Sequence, residues 1–451
     1  MTMLCRRMFV NRQKLISFLD TKENLDLTSF INQDVSSGQQ SFSVDRFKET
    51  LNISNLKEVS FSYSGPNHPF DQSHPQSSDI YDVLNDLYER NVKTSIRSVS
   101  SNQLVVFQNA KLTRLTFDSD GSRLNLQRHH LPNTLKYLVL PLSFRDTLDD
   151  LLPDGLNILN LLPAYKWNQP IKPGSLPNQL RSISLPGFNQ VIQSGTFPSS
   201  LRSIMFGSNF NQPLNGVLPP SLTSLDLSIG PRVYAHDLTN LPSSLTTIRL
   251  PPNFRHSLKH PPLQQLHVNS HVPTGHPFPK LTVLYIKYLE KVSDLDHSFS
   301  SSSTPPLIPN LVRLTINHGG EPIDISTSLP WSTLKYCRVY CAGKANAPST
   351  IITGPIPFGV EELILGRCEL SQLASPGSLL PSSITRLSID HSIFKLRPGD
   401  LPSSVTSLDL KIMDLKRSLD DIVNNINMLF PVNVREIALN FASQQQDHGL
   451  N

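Results

Sequence analysis

Apolar and polar residues alternate in short runs along most of this chain, and the runs recur. Phe197-Pro-Ser-Ser-Leu-Arg-Ser-Ile-Met-Phe is followed by Leu218-Pro-Pro-Ser-Leu-Thr-Ser-Leu-Asp-Leu and by Leu241-Pro-Ser-Ser-Leu-Thr-Thr-Ile-Arg-Leu, with a period of about twenty-two residues. In the second copy Leu225 and Leu227 flank Asp226, which is the period-two pattern of a half-buried strand. Pro219 holds Leu218 extended and withholds a backbone donor, so the chain turns into the strand there instead of starting a helix. One copy cannot bury its apolar edge alone. Successive copies bury it by stacking as a parallel ladder, each strand about 4.8 Å from the last.

Further copies open at Leu112, Leu135, Leu156 and Leu180, and then at Leu263, Leu281, Leu311, Leu334, Val360, Ile384, Val405 and Val434. With an early copy at Leu56-Lys-Glu-Val59-Ser-Phe61, roughly sixteen strands are expected. Helical spacing is expected at Leu15 to Leu19, at Ile80 to Arg90 and at Ser418 to Phe430. The predicted organisation is an N-terminal cap with helices and one degenerate repeat over 1–110, a solenoid over 111–442 and a fraying polar tail over 443–451. Bulges are expected at the Ser and Pro rich stretch Ser298 to Pro306 and before Val360.

Between strands a second phrase repeats: Trp167-Asn-Gln-Pro170-Ile171, Phe188-Asn189-Gln190, and Phe210-Asn-Gln-Pro213-Leu214-Asn-Gly216. The alternation of an aromatic-Asn-x-Pro phrase with a Leu-Pro-x-Ser-Leu phrase resembles the FNIP repeat, a relative of the leucine-rich repeat abundant in social amoebae. The resemblance is fullest from Leu131 to Leu250 and covers Leu380 to Leu410 without the aromatic phrase. It implies a leucine-rich-repeat-like solenoid: a curved parallel β-sheet with a mostly irregular, turn-built convex side. It also implies a non-enzymatic interaction repeat. In the residues themselves, Phe188 and Phe210 can close the leucine stack at the turn, Asn189 and Asn211 can bond turn backbone, and Gly216 after Pro213 can supply positive φ.

Composition alters this picture little. The 451 residues include 37 prolines, many at one repeat position, and the net charge of +4 selects neither nucleic acid nor membrane. Four cysteines, Cys5, Cys337, Cys341 and Cys368, are too few and too uneven for a disulfide framework, which suits a reducing cytoplasmic interior. The chain shows no secretory leader pattern and no eighteen-residue apolar run.

Candidate chemistry is sparse. His256, His260, His267, His271 and His276 suggest a metal, but their spacing belongs to Pro-rich turns. Cys337 occupies a core leucine slot, and Cys368 the Asn/Cys position of a repeat. No nucleotide loop, nucleophile elbow or paired-carboxylate motif is present, so neither catalysis nor a cofactor is expected.

The strand-bearing face is more informative. Lys136, Arg181, Arg202, Arg249, Arg313, Lys335 and Arg338 are expected to point outward, beside Tyr137, Tyr285 and Tyr336. The expectation is a scaffold that docks a protein partner, an acidic segment, on that face. A substrate-recognition subunit of a ubiquitin ligase with residues 1–50 as recruiting element is the alternative. Nucleic acid is disfavoured because dense Lys/Arg clusters are missing.

Overall fold

Each Leu-Pro-x-Ser-Leu phrase folds as a turn that delivers the chain into a strand. The carbonyl of Pro177 accepts from the Leu180 N–H at 3.0 Å, and Pro198 with Leu201, Pro219 with Leu222, Pro242 with Leu245, Pro381 with Ile384 and Pro402 with Val405 repeat the bond. Proline presets φ at the head of each turn, and the leucine that closes it drops into the core. Leu180, Leu201, Leu222 and Leu245 are all fully buried.

The computed structural model describes residues 24–26, 58–63, 84–85, 87–89, 91–98, 111–117, 126–230, 234–273, 276–289, 308–318, 323–324, 333–341, 350–353, 356, 358–366, 368–369, 380–390, 401–412 and 432–441. Two units are distinguished, Met1–Pro231 and Arg232–Asn451.

In the first unit nine strands pair in parallel, each with the next in sequence: β1 (Asn24–Asp26), β2 (Glu58–Tyr63), β3 (Lys93–Ser98), β4 (Arg114–Phe117), β5 (Tyr137–Val139), β6 (Ile158–Asn160), β7 (Ser182–Leu185), β8 (Ser203–Phe206) and β9 (Ser224–Asp226). Register aligns the apolar slots, so Leu115, Leu138, Leu159, Ile183, Ile204 and Leu225 form one buried row. Each such side chain contributes about 2 kcal/mol of burial.

A second buried row is aromatic. Trp167 stacks on Phe188 at 6.0 Å and Phe188 on Phe210 at 6.3 Å, while Phe210 lies 3.9 Å from Phe206. Two further turns complete the repeat. In one, the Phe210 N–H reaches Gly207 O; in the other, the Thr196 N–H reaches Gln193 O around Gly195 at φ +80°. Gly174 and Gly216 adopt similar values, φ +86° and +77°, the latter as its place after Pro213 predicts. Gly207 serves a different need. A Cβ there would come 1.9 Å from Pro186 O, so the glycine lets one turn lie directly on the last.

The second unit begins with β10 (Thr247–Arg249), β11 (Gln265–Val268), β12 (Val283–Leu289), β13 (Arg313–His318), β14 (Ile323–Asp324), β15 (Tyr336–Cys341) and β16 (Thr350–Thr353). It continues with β17 (Glu362–Gly366), β18 (Cys368–Glu369), β19 (Arg386–Asp390), β20 (Ser407–Ile412) and β21 (Glu436–Phe441). The main parallel ladder runs β10-β11-β12-β13-β15-β17-β19-β20-β21. Its long inter-strand segments do more than bulge: β14, β16 and β18 form a separate small parallel sheet.

Among the described residues helix is scarce, as the repeat implies. Residues 84–85 and 87–89 are helical within the predicted Ile80 to Arg90 span, with Leu84 and Leu87 buried. Among the described residues of 1–110 there are three strands where one degenerate copy is expected. The predicted helices at Leu15 to Leu19 and Ser418 to Phe430, the Ser298 to Pro306 stretch and the tail from Ser443 lie outside the described residues.

Candidate interaction face

In Arg114–Phe117, Ser182–Leu185, Ser203–Phe206 and Gln265–Val268 buried slots alternate with half-buried or exposed ones. The residues predicted to point outward divide into three columns. Lys136, Arg181, Arg202 and Lys335 stand just before their strands, Tyr137, Arg313 and Tyr336 at the first outward position, and Arg249, Tyr285 and Arg338 at the next. The single class that the sequence suggests is therefore three rows with different neighbours.

In the first unit the cations are held by the backbone of the following turn. Arg202 Nη1 donates to Ser221 O at 2.9 Å and Lys136 Nζ to Gly155 O at 3.1 Å, while Arg181 is exposed beside Arg202. Tyr137 lies under the Arg114 guanidinium, 4.5 Å from ring centroid to Cζ. The strand positions facing out from β7 and β8 are small or unbranched: Ser182, Ser184, Ser203 and Met205.

In the second unit larger groups stand in register. The Arg313 guanidinium covers the Tyr336 ring at 4.2 Å. Tyr285 is tilted against His267 at 5.3 Å, and its hydroxyl accepts from Asn317 Nδ2 at 2.9 Å. Lys335 pairs with Glu361 at 2.8 Å, so that cation already has its anion. Arg338 is exposed and Arg249 half-buried.

The histidines make separate contacts. His256 Nδ1 is 3.7 Å from Asp237 Oδ1, His271 Nδ1 is 3.1 Å from Ser270 Oγ, and His260 is buried with Nε2 2.6 Å from Leu245 O. Among the described residues no three His, Cys, Asp or Glu side chains converge to hold a metal ion. Cys337 fills its leucine slot with no exposure, and burial pushes its thiol up to about 12. The side chain of Cys368 lies outside the described residues.

Asn189 bonds turn backbone, as its sequence position suggests, and the structure names the partners, which lie on neighbouring turns. The Asn189 N–H donates to Asn168 Oδ1 and the Asn211 N–H to Asn189 Oδ1, each at 2.8 Å. Gln212 Nε2 adds bonds to Asn189 O and Oδ1 at 3.2 Å. Ser200 Oγ donates to Leu180 O at 2.6 Å and Ser221 Oγ to Leu201 O at 2.8 Å; Ser383 to Val360 O and Ser404 to Ile384 O repeat the bond in the second unit. These side chains lace each turn to the one before it. Pro213, by contrast, is exposed on its turn.

Residues 188–229 match the family model of the FNIP Repeat. A solved structure described as the crystal structure of CroV588, a novel circular LRR protein, is similar at 18% identity and a TM-score of 0.39, over 87% of this chain and 67% of that one. No curated protein matches the chain. Among the described residues no helix is long and apolar enough to cross a membrane.

Proposed function

We propose that this chain, which carries FNIP repeats in a parallel, leucine-rich-repeat-like β-solenoid, is a non-enzymatic cytoplasmic scaffold that holds a protein partner against the outward face of its strands. The observation that supports the reading is the content of that face. Arg114 on Tyr137 and Arg313 on Tyr336 are rigid aromatic and guanidinium pairs, the residue types that dominate protein interfaces. Exposed Arg181, Arg202 and Arg338 favour an acidic partner segment.

Affinity capture from the source cells tests it, with the intact chain beside a variant carrying Arg181→Glu, Arg202→Glu and Arg338→Glu. Partners held by the intact chain and lost from the variant are expected. Undiminished capture by the charge-reversed chain would overturn the proposal.

A further inference from the structure

We infer that the outward face of β12, β13 and β15 takes an extended peptide segment with carboxylates at alternate positions, one for Arg313 and one for Arg338. This rests on the reading of the strand face as a protein-binding surface and narrows it to one place and one recognition pattern.

Register sets the spacing. Arg313 pairs with Tyr336 and Thr315 with Arg338, so the two arginines stand on adjacent strands, offset by two residues along them. Combining one inter-strand step with two residues of rise separates their Cα atoms by about 8 Å. In an extended peptide, side chains two residues apart point the same way at about 7 Å. Adjacent carboxylates would point to opposite sides, and only one could be engaged.

Local chemistry favours a carboxylate. With its Cζ 4.2 Å from the Tyr336 ring centroid, the Arg313 guanidinium is held against the ring, and its planar fork of N–H donors suits a carboxylate, which accepts two of them. That contact also removes rotamer freedom that binding would otherwise have to remove. Arg338 has no acidic partner among the described residues. Among the described residues, outward positions on the main-ladder strands β11, β12, β13 and β15 carry Gln265, His267, Val283, Tyr285, Thr315 and no Asp or Glu; along that ladder Glu361 and Glu362 follow at the start of β17, and Glu361 already neutralises Lys335. The patch is therefore a cationic site bounded on one side by anions, which gives a bound acidic segment a preferred position. Single-stranded nucleic acid fits less well, because Tyr336 is covered by Arg313 and Tyr285 is tilted against His267, leaving little ring face on which a base could stack.

The test is fluorescence anisotropy of the full chain with a labelled synthetic peptide, about twelve residues of serine and threonine around a central Asp-Val-Asp. A second peptide of the same composition has its two Asp residues adjacent. Binding of the first is expected, weaker by about tenfold for the second and by about tenfold or more for the first on Arg313→Ala or Arg338→Ala. Arg313→Lys should fall between, since it keeps charge without the planar fork. The Arg181→Glu, Arg202→Glu variant should bind as the unaltered chain does, and the melting temperature of each variant reports that its fold is intact. Four results would overturn the inference: no saturable binding, equal binding of the two peptides, indifference to Arg313 and Arg338, or tighter binding of an oligouridine that displaces the peptide. Such a failure leaves the scaffold reading standing if cellular partners still depend on the basic strand face. Conversely, peptide binding without any captured partner would sink the scaffold reading and keep the site.

Discussion

The backbone N–H of Asn211 donates to the side-chain oxygen of Asn189 at 2.8 Å, although the two residues belong to successive turns of the first unit. Asn189 itself donates in the same way to Asn168, so the side-chain amides form a ladder beside the strand ladder. Asn189→Ala leaves the Asn211 N–H without its acceptor and is expected to cost about 1 to 3 kcal/mol. Asn189→Asp keeps an acceptor oxygen and should cost less. Thermal or urea unfolding of the two variants measures the difference; equal losses would count against the ladder.

The serine bonds predict a graded series. Ser200→Ala and Ser221→Ala each remove a hydroxyl that donates to a leucine carbonyl of the preceding turn, at a cost of about 0.5 to 1.5 kcal/mol. Threonine is expected to substitute at little cost, because Thr134 and Thr333 make the same bond to Leu112 O and Leu311 O. Chemical denaturation midpoints give the ranking.

Two backbone positions should respond in opposite directions. Gly207→Ala drives a methyl group into Pro186 O and is expected to destabilise by several kcal/mol, about as much as a buried packing defect. Asp150, at φ +52°, occupies the turn position that Gly174, Gly195 and Gly216 hold in later repeats. Asp150→Gly should therefore stabilise by about 1 kcal/mol through relief of left-handed strain, read as a raised melting temperature.

Acid sensitivity follows from two buried histidines. Desolvation lowers the affinity of His260 for a proton, against the opposing bond to Leu245 O, and desolvation with the nearby His129 does so for His130. Both folded-state values lie below the ordinary value of 6.5, so the unfolded chain binds protons first. The stability they contribute is complete above about pH 6.5 and is lost as pH falls from there through the folded-state values. Melting temperature between neutral pH and about pH 5 should decline. His260→Gln, which keeps an N–H for Leu245 O without a titrating ring, should flatten that decline.

Cys337 should be silent toward thiol reagents in the native protein, since burial keeps it protonated and out of reach. Alkylation followed by peptide mapping should modify it only after denaturation. Modification of the native chain at that position would show that its leucine slot opens.

How far the sequence anticipates these features depends on whether an interaction is local or spans turns. The strands were legible because Leu225, Asp226 and Leu227 display their alternation within three residues, and the turn glycines because Gly216 has a conformational requirement of its own. The strand β3 was not legible. Lys93-Thr-Ser-Ile-Arg-Ser98 holds one apolar residue, and its buried Thr94 is satisfied by bonds to Lys111 O and Thr113. Arg313 over Tyr336, like Asn211 to Asn189, depends on register between residues more than twenty apart, so neither pairing could be read from spacing.

The lacing of each turn to its predecessor also bears on how such a chain can change over generations. Ser221 reaches Leu201 just as Ser200 reaches Leu180, and Asn211 reaches Asn189 just as Asn189 reaches Asn168. A stretch of coding sequence one period long, duplicated in frame, would therefore bring its own donors and find its own acceptors, and the join would be chemically indistinguishable from the joins on either side. Unequal recombination can thus lengthen or shorten this part of the protein by whole turns, leaving the outward side chains free to diverge copy by copy.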